Sequence, residues 1–348
     1  MLPIHTRPRF MEDNTIILNI KNLKIAFKMR QGNVTAVNDV TFQLRKGHVL
    51  GIVGESGCGK SVTARSLMRI EAPGILLSGE INFQSKSRGE VGIQRLDPMG
   101  ESIRDIRWKE IAMVFQEPMT SFGPMHTFGN QISEVLILHN KLSKNEALEM
   151  AVESLRAVGM PRPEKVIKQY PHQISGGMRQ RAMIAMALIC NPEILIADEP
   201  TTALDVSTES QILDLLTEQQ KMLETSILYI SHNLGVVANI ADEVIVMYLG
   251  QIVEHAPVSD LFASPKHPYA VALLNSIPNI DKDYRNQKLD VLQGSIPDPY
   301  NHPEGCQFHP RCPRVIHGIC DRVQPPLLDI SLHRRVACHL YSPLPKTC

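Results

Sequence analysis

The chain has 348 residues and a mass of 38.9 kDa, which is long enough for two domains. Hydrophobic residues make up 43% and charged residues 21%, as in a typical globular protein, and no apolar run exceeds the nine residues Ala182–Cys190, too few to span a bilayer. The 36 basic and 36 acidic side chains cancel, which argues against a nucleic-acid binder that works through bulk positive charge. No apolar stretch suited to a signal peptide follows Arg7 and Arg9, so we expect a cytosolic protein.

A glycine-rich loop follows a short apolar run near the start of the chain. Residues 48–54 predict a buried parallel strand, and residues 54–61 match the pattern G-x-x-x-x-G-K-[ST] in full. In this pattern backbone N–H groups surround phosphate oxygens, Lys60 reaches the β- and γ-phosphates, and the Ser61 hydroxyl ligates Mg²⁺. Residues 62–70 can continue as a helix whose positive end faces the phosphates. The predicted nucleotide-binding residues are Gly54, Glu55, Ser56, Gly57, Cys58, Gly59, Lys60, Ser61 and Val62.

A second apolar run, Ile194–Ala197, ends in two acidic residues. Asp198 is expected to hold Mg²⁺ through water, and Glu199 is placed to polarise the attacking water. Phosphoryl transfer depends mainly on positioning and charge, so this placement matters more than the basicity of the carboxylate. Together with residues 54–61, the two acids predict a chain that binds and hydrolyses a nucleoside triphosphate.

A segment between these two sites, residues 174–181, reads ISGGMRQR and precedes a run suited to a helix. With this segment the chain resembles the ATP-binding cassette (ABC) ATPases over roughly residues 16–255, and SGGMRQR resembles their signature motif. The resemblance implies that two cassettes sandwich two ATP molecules, so that each signature contacts the γ-phosphate held by the other subunit. The residues in that role are Ser175, Gly176, Gly177 and Met178, the last being common in the peptide-importer branch.

The resemblance also assigns roles to residues outside the signature. Gln116, within residues 114–118, is implied as the Q-loop sensor of Mg²⁺ and water, which makes Ser61, Gln116 and Asp198 the predicted Mg²⁺ ligands. Asp205 is implied in the D-loop, residues 201–205, and His232 as the switch histidine. Phe27 is the candidate for the aromatic side chain that stacks on adenine.

The family resemblance implies an α/β fold, a RecA-like P-loop NTPase core with an antiparallel β subdomain and a helical subdomain at about residues 118–185. Within the latter, Lys144–Val158 places Ala147, Met150, Ala151 and Leu155 at helical spacing, which predicts a buried helical face. Residues 117–121 resemble the importer segment that meets the coupling helix of a membrane subunit.

The composition changes near residue 256, where prolines and histidines multiply, so we divide the chain into a cassette, 1–255, and a small irregular extension, 256–348. Residues 266–270, followed by 273–274 and 277–278, resemble the C-terminal extension of oligopeptide and dipeptide importer ATPases. Four of the seven cysteines lie in this extension with the spacing C-x5-C-x7-C-x17-C: Cys306, Cys312, Cys320 and Cys338.

Four thiolates can hold a tetrahedral zinc ion or an iron–sulfur cluster, and free thiols are a third reading. Zinc sites more often show C-x2-C pairs, which this extension lacks. The importer branch is associated with a [4Fe–4S] cluster, so the resemblance favours a cluster and predicts a metal-binding extension.

The resemblance therefore implies an ATPase subunit that energises import of oligopeptides or dipeptides at the cytoplasmic face of the plasma membrane. The implied partners are a second, paralogous ATPase subunit, two permease subunits and an extracytoplasmic substrate-binding protein. Residues 121–124 read SFGP where peptide importers usually have SLNP, which leaves an oligosaccharide importer as an alternative. A chromosome or repair ATPase acting on nucleic acid is disfavoured, because no sustained heptads separate Lys60 from Ser175.

Overall fold

The computed structural model describes residues 15–30, 32–116, 121–202, 204–276 and 294–342. The strands are β1 (Ile16–Met29), β2 (Gly32–Arg45), β3 (Val49–Val53), β4 (Gly74–Ser85), β5 (Gly89–Gly92), β6 (Ile111–Val114), β7 (Ile194–Asp198), β8 (Ser226–Ser231), β9 (Glu243–Tyr248), β10 (Gln251–Pro257), β11 (Leu328–Ser331) and β12 (Arg334–Val336). The α-helices are α1 (Lys60–Ser66), α2 (Glu101–Ile106), α3 (Phe128–Asn140), α4 (Lys144–Ala157), α5 (Pro163–Val166), α6 (Gly176–Leu188), α7 (Val206–Leu223), α8 (Leu234–Ile240), α9 (Val258–Ala263) and α10 (Pro268–Asn275). In these ranges no helix combines the length and apolar character that crossing a membrane requires.

The larger sheet has eight strands in the order β11-β12-β10-β9-β3-β8-β7-β6, and β9, β3, β8, β7 and β6 run parallel. Every residue of β3, β6, β7 and β8 is buried. Strands of a parallel sheet that is covered on both faces read as continuous apolar runs, which is why the sequence predicts β3 and β7 directly. The ends of these strands carry the motifs described below.

The smaller sheet is antiparallel, with the order β2-β1-β4-β5. Apolar side chains of β1 and β2 pack in one core cluster with Ile52, Ile230 and Ile245 of the larger sheet. This layer corresponds to the antiparallel subdomain that the sequence predicts.

Helices α3 to α6 form the predicted helical region, and the segment 117–120 before them lies outside the described residues. Helix α4 begins with a capping box in which Ser143 and Glu146 satisfy each other's backbone N–H groups. Ala147, Ala151 and Leu155 are fully buried, as predicted, because four-residue spacing keeps them on one face. Met150 differs from the prediction, since it is 42% exposed at the edge of that face.

The C-terminal extension is more regular than the sequence predicts. Strand β12 pairs with β10, and β11 with β12, so the extension adds two strands to the larger sheet. Buried Glu254 of β10 accepts hydrogen bonds from Arg334 and from the backbone N–H groups of Lys266 and His267. Strand β10 runs across the proposed domain boundary between residues 255 and 256, and the boundary itself stays a prediction. Residues 277–278 lie outside the described ranges.

Candidate phosphate-binding and hydrolysis site

The glycine-rich loop connects the buried strand β3 to helix α1 and lies against neighbouring backbone. Gly54 and Gly59 have φ angles of 152° and 98°. A Cβ at Gly54 would lie 2.2 Å from the carbonyl oxygen of Met247, and one at Gly59 would lie 2.3 Å from that of Ala36. The two glycines are therefore required both by conformation and by space.

Lys60 is buried at the start of α1 and donates to the carbonyl oxygens of Gly54 and Glu55 at 2.8 and 3.0 Å. Its ammonium group thus lies inside the curve of the loop, where the pattern predicts the β- and γ-phosphates. Cys58 is buried 3.8 Å from the ammonium nitrogen, and burial raises the pKa of its thiol despite the nearby positive charge. Ser56 and Gly57 are exposed, and Val62 is half-buried.

Ser61 and Asp198 form the contact expected of a Mg²⁺ site. The Ser61 hydroxyl donates to Oδ1 of Asp198 at 2.8 Å, and burial raises the pKa of this carboxyl. The second carboxylate oxygen, Oδ2, is buried and has no hydrogen-bond partner within the described ranges. A hydroxyl and an orphaned carboxylate oxygen are the hard donors that Mg²⁺ prefers, so these two residues fit the ion.

Three side chains converge on the carboxylate of Glu199. Gln116 donates through Nε2 at 3.1 Å, Thr202 through Oγ1 at 2.9 Å, and His232 lies with Nδ1 at 3.2 Å. The structure thus brings Gln116, Glu199 and His232 together. Gln116 approaches Glu199 with its amide nitrogen, so its role as a Mg²⁺ ligand stays a prediction.

These residues meet because they follow parallel strands of one sheet. Residues 54–61, Gln116, Glu199 and His232 follow β3, β6, β7 and β8, respectively, and Asp198 is the last residue of β7. The carboxyl ends of parallel strands share one edge, which is where open α/β sheets bind ligands. Such a site can bind phosphate groups and Mg²⁺ and can orient a water molecule for attack.

The signature residues lie at the N-terminus of α6. The exposed Ser175 is the N-cap and accepts from the N–H of Met178, whose half-buried side chain packs on the core. A Cβ at Gly177 would lie 2.9 Å from the methyl group of Thr208, so the signature packs against the start of α7. Gly176 has open space around it.

Asp205 of the D-loop is the N-cap of α7. Its carboxylate accepts from the backbone N–H and hydroxyl of Thr208 and from the hydroxyl of Ser207, and these hydrogen bonds lower its pKa. Ala203 of the same motif lies outside the described residues. Phe27 is half-buried on β1, with its ring against Gly74. Any contact of Asp205, Phe27 or the signature with ATP stays a prediction.

Sequence reasoning missed three residues of this site. Thr202 lies within the D-loop motif only three positions after Glu199, and this short separation is the signal that could have found it. Arg311 and Tyr269 of the C-terminal extension contact Glu55 of the phosphate loop. Both residues lie more than 200 positions from Glu55 along the chain. The sequence therefore offered no local pattern that connects them with the phosphate loop.

The prediction of a [4Fe–4S] cluster is wrong, and so are the zinc alternative and the metal-binding extension. All four cysteines are described, and across the described residues no group of three or more His, Cys, Asp or Glu side chains is placed to hold a metal ion. The structure uses these side chains for packing, since Cys306 and Cys312 contact the main core cluster and Cys320 and Cys338 are buried. Burial raises the pKa of Cys306 to about 12.

Comparisons with known proteins agree with this geometry. Residues 37–202 match the family described as ABC transporter, and residues 253–320 match the oligopeptide/dipeptide transporter C-terminal region. The chain is 48% identical to the oligopeptide transport ATP-binding protein AppD of Bacillus subtilis, over 93% of this chain and 97% of that protein. It is 44% identical to the oligopeptide transport ATP-binding protein OppD of Escherichia coli, over 96% of each.

Among solved structures, a dimeric ATP-binding cassette in a post-hydrolysis state with ADP and Pi superposes with a TM-score of 0.61 at 26% identity. The match covers 69% of this chain and 98% of that one. The cassette fold, the phosphate loop with its acidic partners, and the matching C-terminal region all lead to one assignment. The chain belongs to the ABC transporter family of ATP-binding proteins, in the branch with the oligopeptide/dipeptide transporter C-terminal region.

Proposed function

We propose that the chain is the ATP-hydrolysing subunit of an ABC importer for oligopeptides or dipeptides. The observation that carries ATP hydrolysis is the convergence of Gln116, Thr202 and His232 on Glu199 beside the Ser61–Asp198 contact. The substrate class rests on relatives that are named for oligopeptide transport and align over nearly the whole chain.

The chain's own residues supply positioning and charge. Lys60 and the N–H groups of residues 54–61 bind phosphate oxygens, and Ser61 and Asp198 hold the metal ion. When bound, Mg²⁺ neutralises charge on the β- and γ-phosphates. Glu199 orients the attacking water and accepts its proton, while Gln116 and His232 keep that carboxylate facing the reacting phosphate.

The working unit contains two cassettes. Ser175 is exposed at the N-terminus of a thirteen-residue helix, where backbone N–H groups can bind the γ-phosphate of ATP on a second ATPase subunit. We expect that subunit to be paralogous and the pair to sit on two permease subunits at the cytoplasmic face of the membrane, served by an extracytoplasmic binding protein.

The oligosaccharide alternative is wrong. The relatives compared above are named for oligopeptide transport. The residues that suggested a sugar, SFGP at 121–124, have a packing explanation, because buried Phe122 stacks edge-on against Phe128 with 4.9 Å between ring centroids. Gly123 donates its N–H to Oε1 of Gln131 at 2.7 Å and ties the segment to α3.

ATP binding and hydrolysis can be separated with two variants. Lys60→Ala removes the buried ammonium group, and we expect ATP affinity to fall at least tenfold. Glu199→Gln keeps the shape of the side chain but removes the base, so ATP binding should persist while turnover falls by orders of magnitude. Equilibrium binding uses the full chain, and turnover uses the chain co-expressed with its second ATPase and two permease subunits.

The reconstituted complex tests the substrate class. With the extracytoplasmic binding protein added, dipeptides and oligopeptides should stimulate its ATPase activity and enter proteoliposomes, whereas matched oligosaccharides should do neither. The chain alone should hydrolyse ATP slowly, because the signature acts on a partner's nucleotide. Parental turnover by Glu199→Gln in the complex, or stimulation by sugars only, would contradict the proposal.

A further inference from the structure

The side chain of Glu55, the second residue of the phosphate loop, is held by the C-terminal extension. The Arg311 guanidinium donates through two nitrogens to the two carboxylate oxygens of Glu55, at 2.8 and 3.1 Å. The Arg311 side chain is only 4% exposed, and that of Glu55 is 24% exposed. A two-point contact of this kind fixes orientation as well as neutralising charge. It joins two residues that are 256 positions apart in the chain.

A second contact reaches the backbone of the same residue. The Tyr269 hydroxyl accepts a hydrogen bond from the N–H of Glu55 at 2.9 Å, and the Tyr269 side chain is fully buried. Tyr269 lies in the first turn of α10. The buried His267 caps this helix, because its Nδ1 accepts a hydrogen bond from the backbone N–H of Tyr269. The extension therefore contacts both the side chain and the main chain of Glu55.

The contacting residues are themselves fixed by aromatic packing. Tyr248, at the end of β9, has its ring centroid 4.7 Å from that of Tyr269 and 5.3 Å from that of Phe308. Phe308 is 1% exposed, and the guanidinium of Arg311 lies 5.9 Å from the centroid of the Tyr248 ring. The extension thus presents Arg311 and Tyr269 to the loop from a packed surface.

A carboxylate in a phosphate-binding loop opposes the binding of a triphosphate unless its charge is neutralised and held away. The carbonyl groups of Gly54 and Glu55 also accept from Lys60, so a change at Glu55 is passed to the lysine that binds the phosphates. We infer that the C-terminal extension completes the nucleotide site, with Arg311 and Tyr269 as positioning residues that hold Glu55 and the phosphate loop in the conformation that binds ATP. This inference rests on the proposed function.

Equilibrium dialysis of ATP with Mg²⁺ against the full chain tests the inference. Arg311→Gln leaves the Glu55 carboxylate unpaired in the loop, and we expect the Kd for ATP to rise about tenfold. Arg311→Lys keeps the charge but not the two-point geometry and should raise the Kd about threefold. Tyr269→Phe removes only the hydroxyl acceptor and should raise it about threefold as well, which keeps the test open should Arg311→Gln fail to fold.

Two controls lie in the same extension. Arg314 is exposed, and the Tyr341 hydroxyl contacts the carbonyl of Lys266 instead of the phosphate loop. Arg314→Gln and Tyr341→Phe should leave the Kd within about twofold of the parent. A tenfold loss in either control would show a general effect of the extension on folding and would overturn the specific assignment.

A variant that already carries Glu55→Gln can distinguish whether Arg311 positions Glu55 or only stabilises the fold. With Glu55→Gln in place, adding Arg311→Gln should change the Kd by no more than about twofold, because the charge that Arg311 neutralises is gone. A full tenfold rise of the Kd in that background would overturn the inference. The inference would also be overturned if Arg311→Gln or Tyr269→Phe bound ATP as tightly as the parent while Lys60→Ala did not. If the parent and Lys60→Ala bind ATP equally, the proposed function itself fails, and the inference falls with it.

Discussion

At the scale of single residues, Glu199 has an unusual backbone conformation. Its φ angle of 48° lies in the left-handed region, which costs a residue with a side chain roughly 1–2 kcal/mol. The hydrogen bond from its N–H to the carbonyl of Ile230, at 2.9 Å, holds this conformation against β8. Strain of this kind persists where the surroundings fix it, and here it aims the carboxylate at Gln116 and His232.

The Thr202 hydroxyl should contribute to turnover through Glu199. Thr202→Val keeps the side-chain volume but removes the hydrogen bond to Oε2, so the carboxylate loses one of three contacts that orient it. We expect turnover in the assembled complex to fall about fivefold, near 1 kcal/mol, with the Kd for ATP unchanged. Steady-state ATPase assays and equilibrium binding measure the two quantities.

A matched control is Thr225→Val, which removes a similar buried hydrogen bond, to the carbonyl of Pro192, away from the site. This change should lower stability without altering turnover per folded complex. Equal losses of turnover in the two variants would mean that Thr202 acts only through the fold.

Residues of the site that belong to contiguous motifs could be predicted from the sequence. Lys60 and Ser61 close the glycine-rich motif that follows one apolar run, and Asp198 ends a second apolar run, so local sequence spacing places all three. Arg311 could not be predicted as a partner of Glu55, because tertiary packing across 256 positions determines that contact. The role of the four cysteines could not be predicted either, because their spacing does not distinguish packing from metal ligation.

At the scale of elements, the phosphate loop depends on two kinds of glycine. Gly59 has both a positive φ and a carbonyl oxygen 2.3 Å from the position of a Cβ, whereas Gly57 has φ of 81° and nothing within 4 Å. The contact at Gly59 is backbone of Ala36 on β2, which cannot rotate away. The loop is also held by the N–H of Gly250, which donates to the carbonyl of Cys58 at 3.0 Å.

Alanine at these two glycines should therefore have unequal effects. Gly57→Ala should cost only the conformational penalty, roughly 1–2 kcal/mol of unfolding free energy. Gly59→Ala should cost clearly more, because β2 or the loop must also move. Urea unfolding of the full chain measures both. Equal losses would mean that the close approach to Ala36 relaxes freely.

The elements most readily predicted were those with strong patterns. β3, β7 and helix α4 appear where the sequence predicts them, because burial imposes continuous or four-residue apolar spacing. The two strands of the extension were not predicted. β11 and β12 are only four and three residues long, and both contain polar as well as apolar side chains. The pairing of β12 with β10, and of β11 with β12, supplies the stability that their own sequences lack.

At the scale of the whole molecule, one network of charged side chains links three parts of the chain. Glu243 on β9 contacts Arg45 of β2, in the antiparallel sheet, and His255 Nε2 on β10 at 2.8 Å. His255 Nδ1 in turn lies 2.8 Å from the guanidinium of Arg335 on β12, in the extension. A guanidinium can only donate, so Nδ1 accepts and Nε2 carries the proton that is donated to Glu243.

This network should give the protein a measurable acid sensitivity. Burial alone would raise the pKa of Glu243, but the hydrogen bond from His255 and the charge of Arg45 lower it to about 2, from an ordinary value of 4.5. A carboxyl whose pKa is lower in the folded state stabilises that state above the unfolded pKa. The contribution is lost as pH falls from about 4.5 towards about 2.

Glu243→Gln tests this contribution. At pH 7 the variant should have an unfolding free energy on the order of 2–3 kcal/mol lower than that of the parent. At pH 3.5 this difference should be smaller by roughly 1 kcal/mol, because the parent has begun to lose the same interaction. Urea unfolding across this pH range measures the difference. Glu153→Gln, which breaks an exposed pair with Arg156, should leave the urea midpoint of unfolding unchanged at either pH. A Glu243→Gln deficit that stays constant between pH 7 and pH 3.5 would show that the carboxylate charge does not hold the three parts of the molecule together.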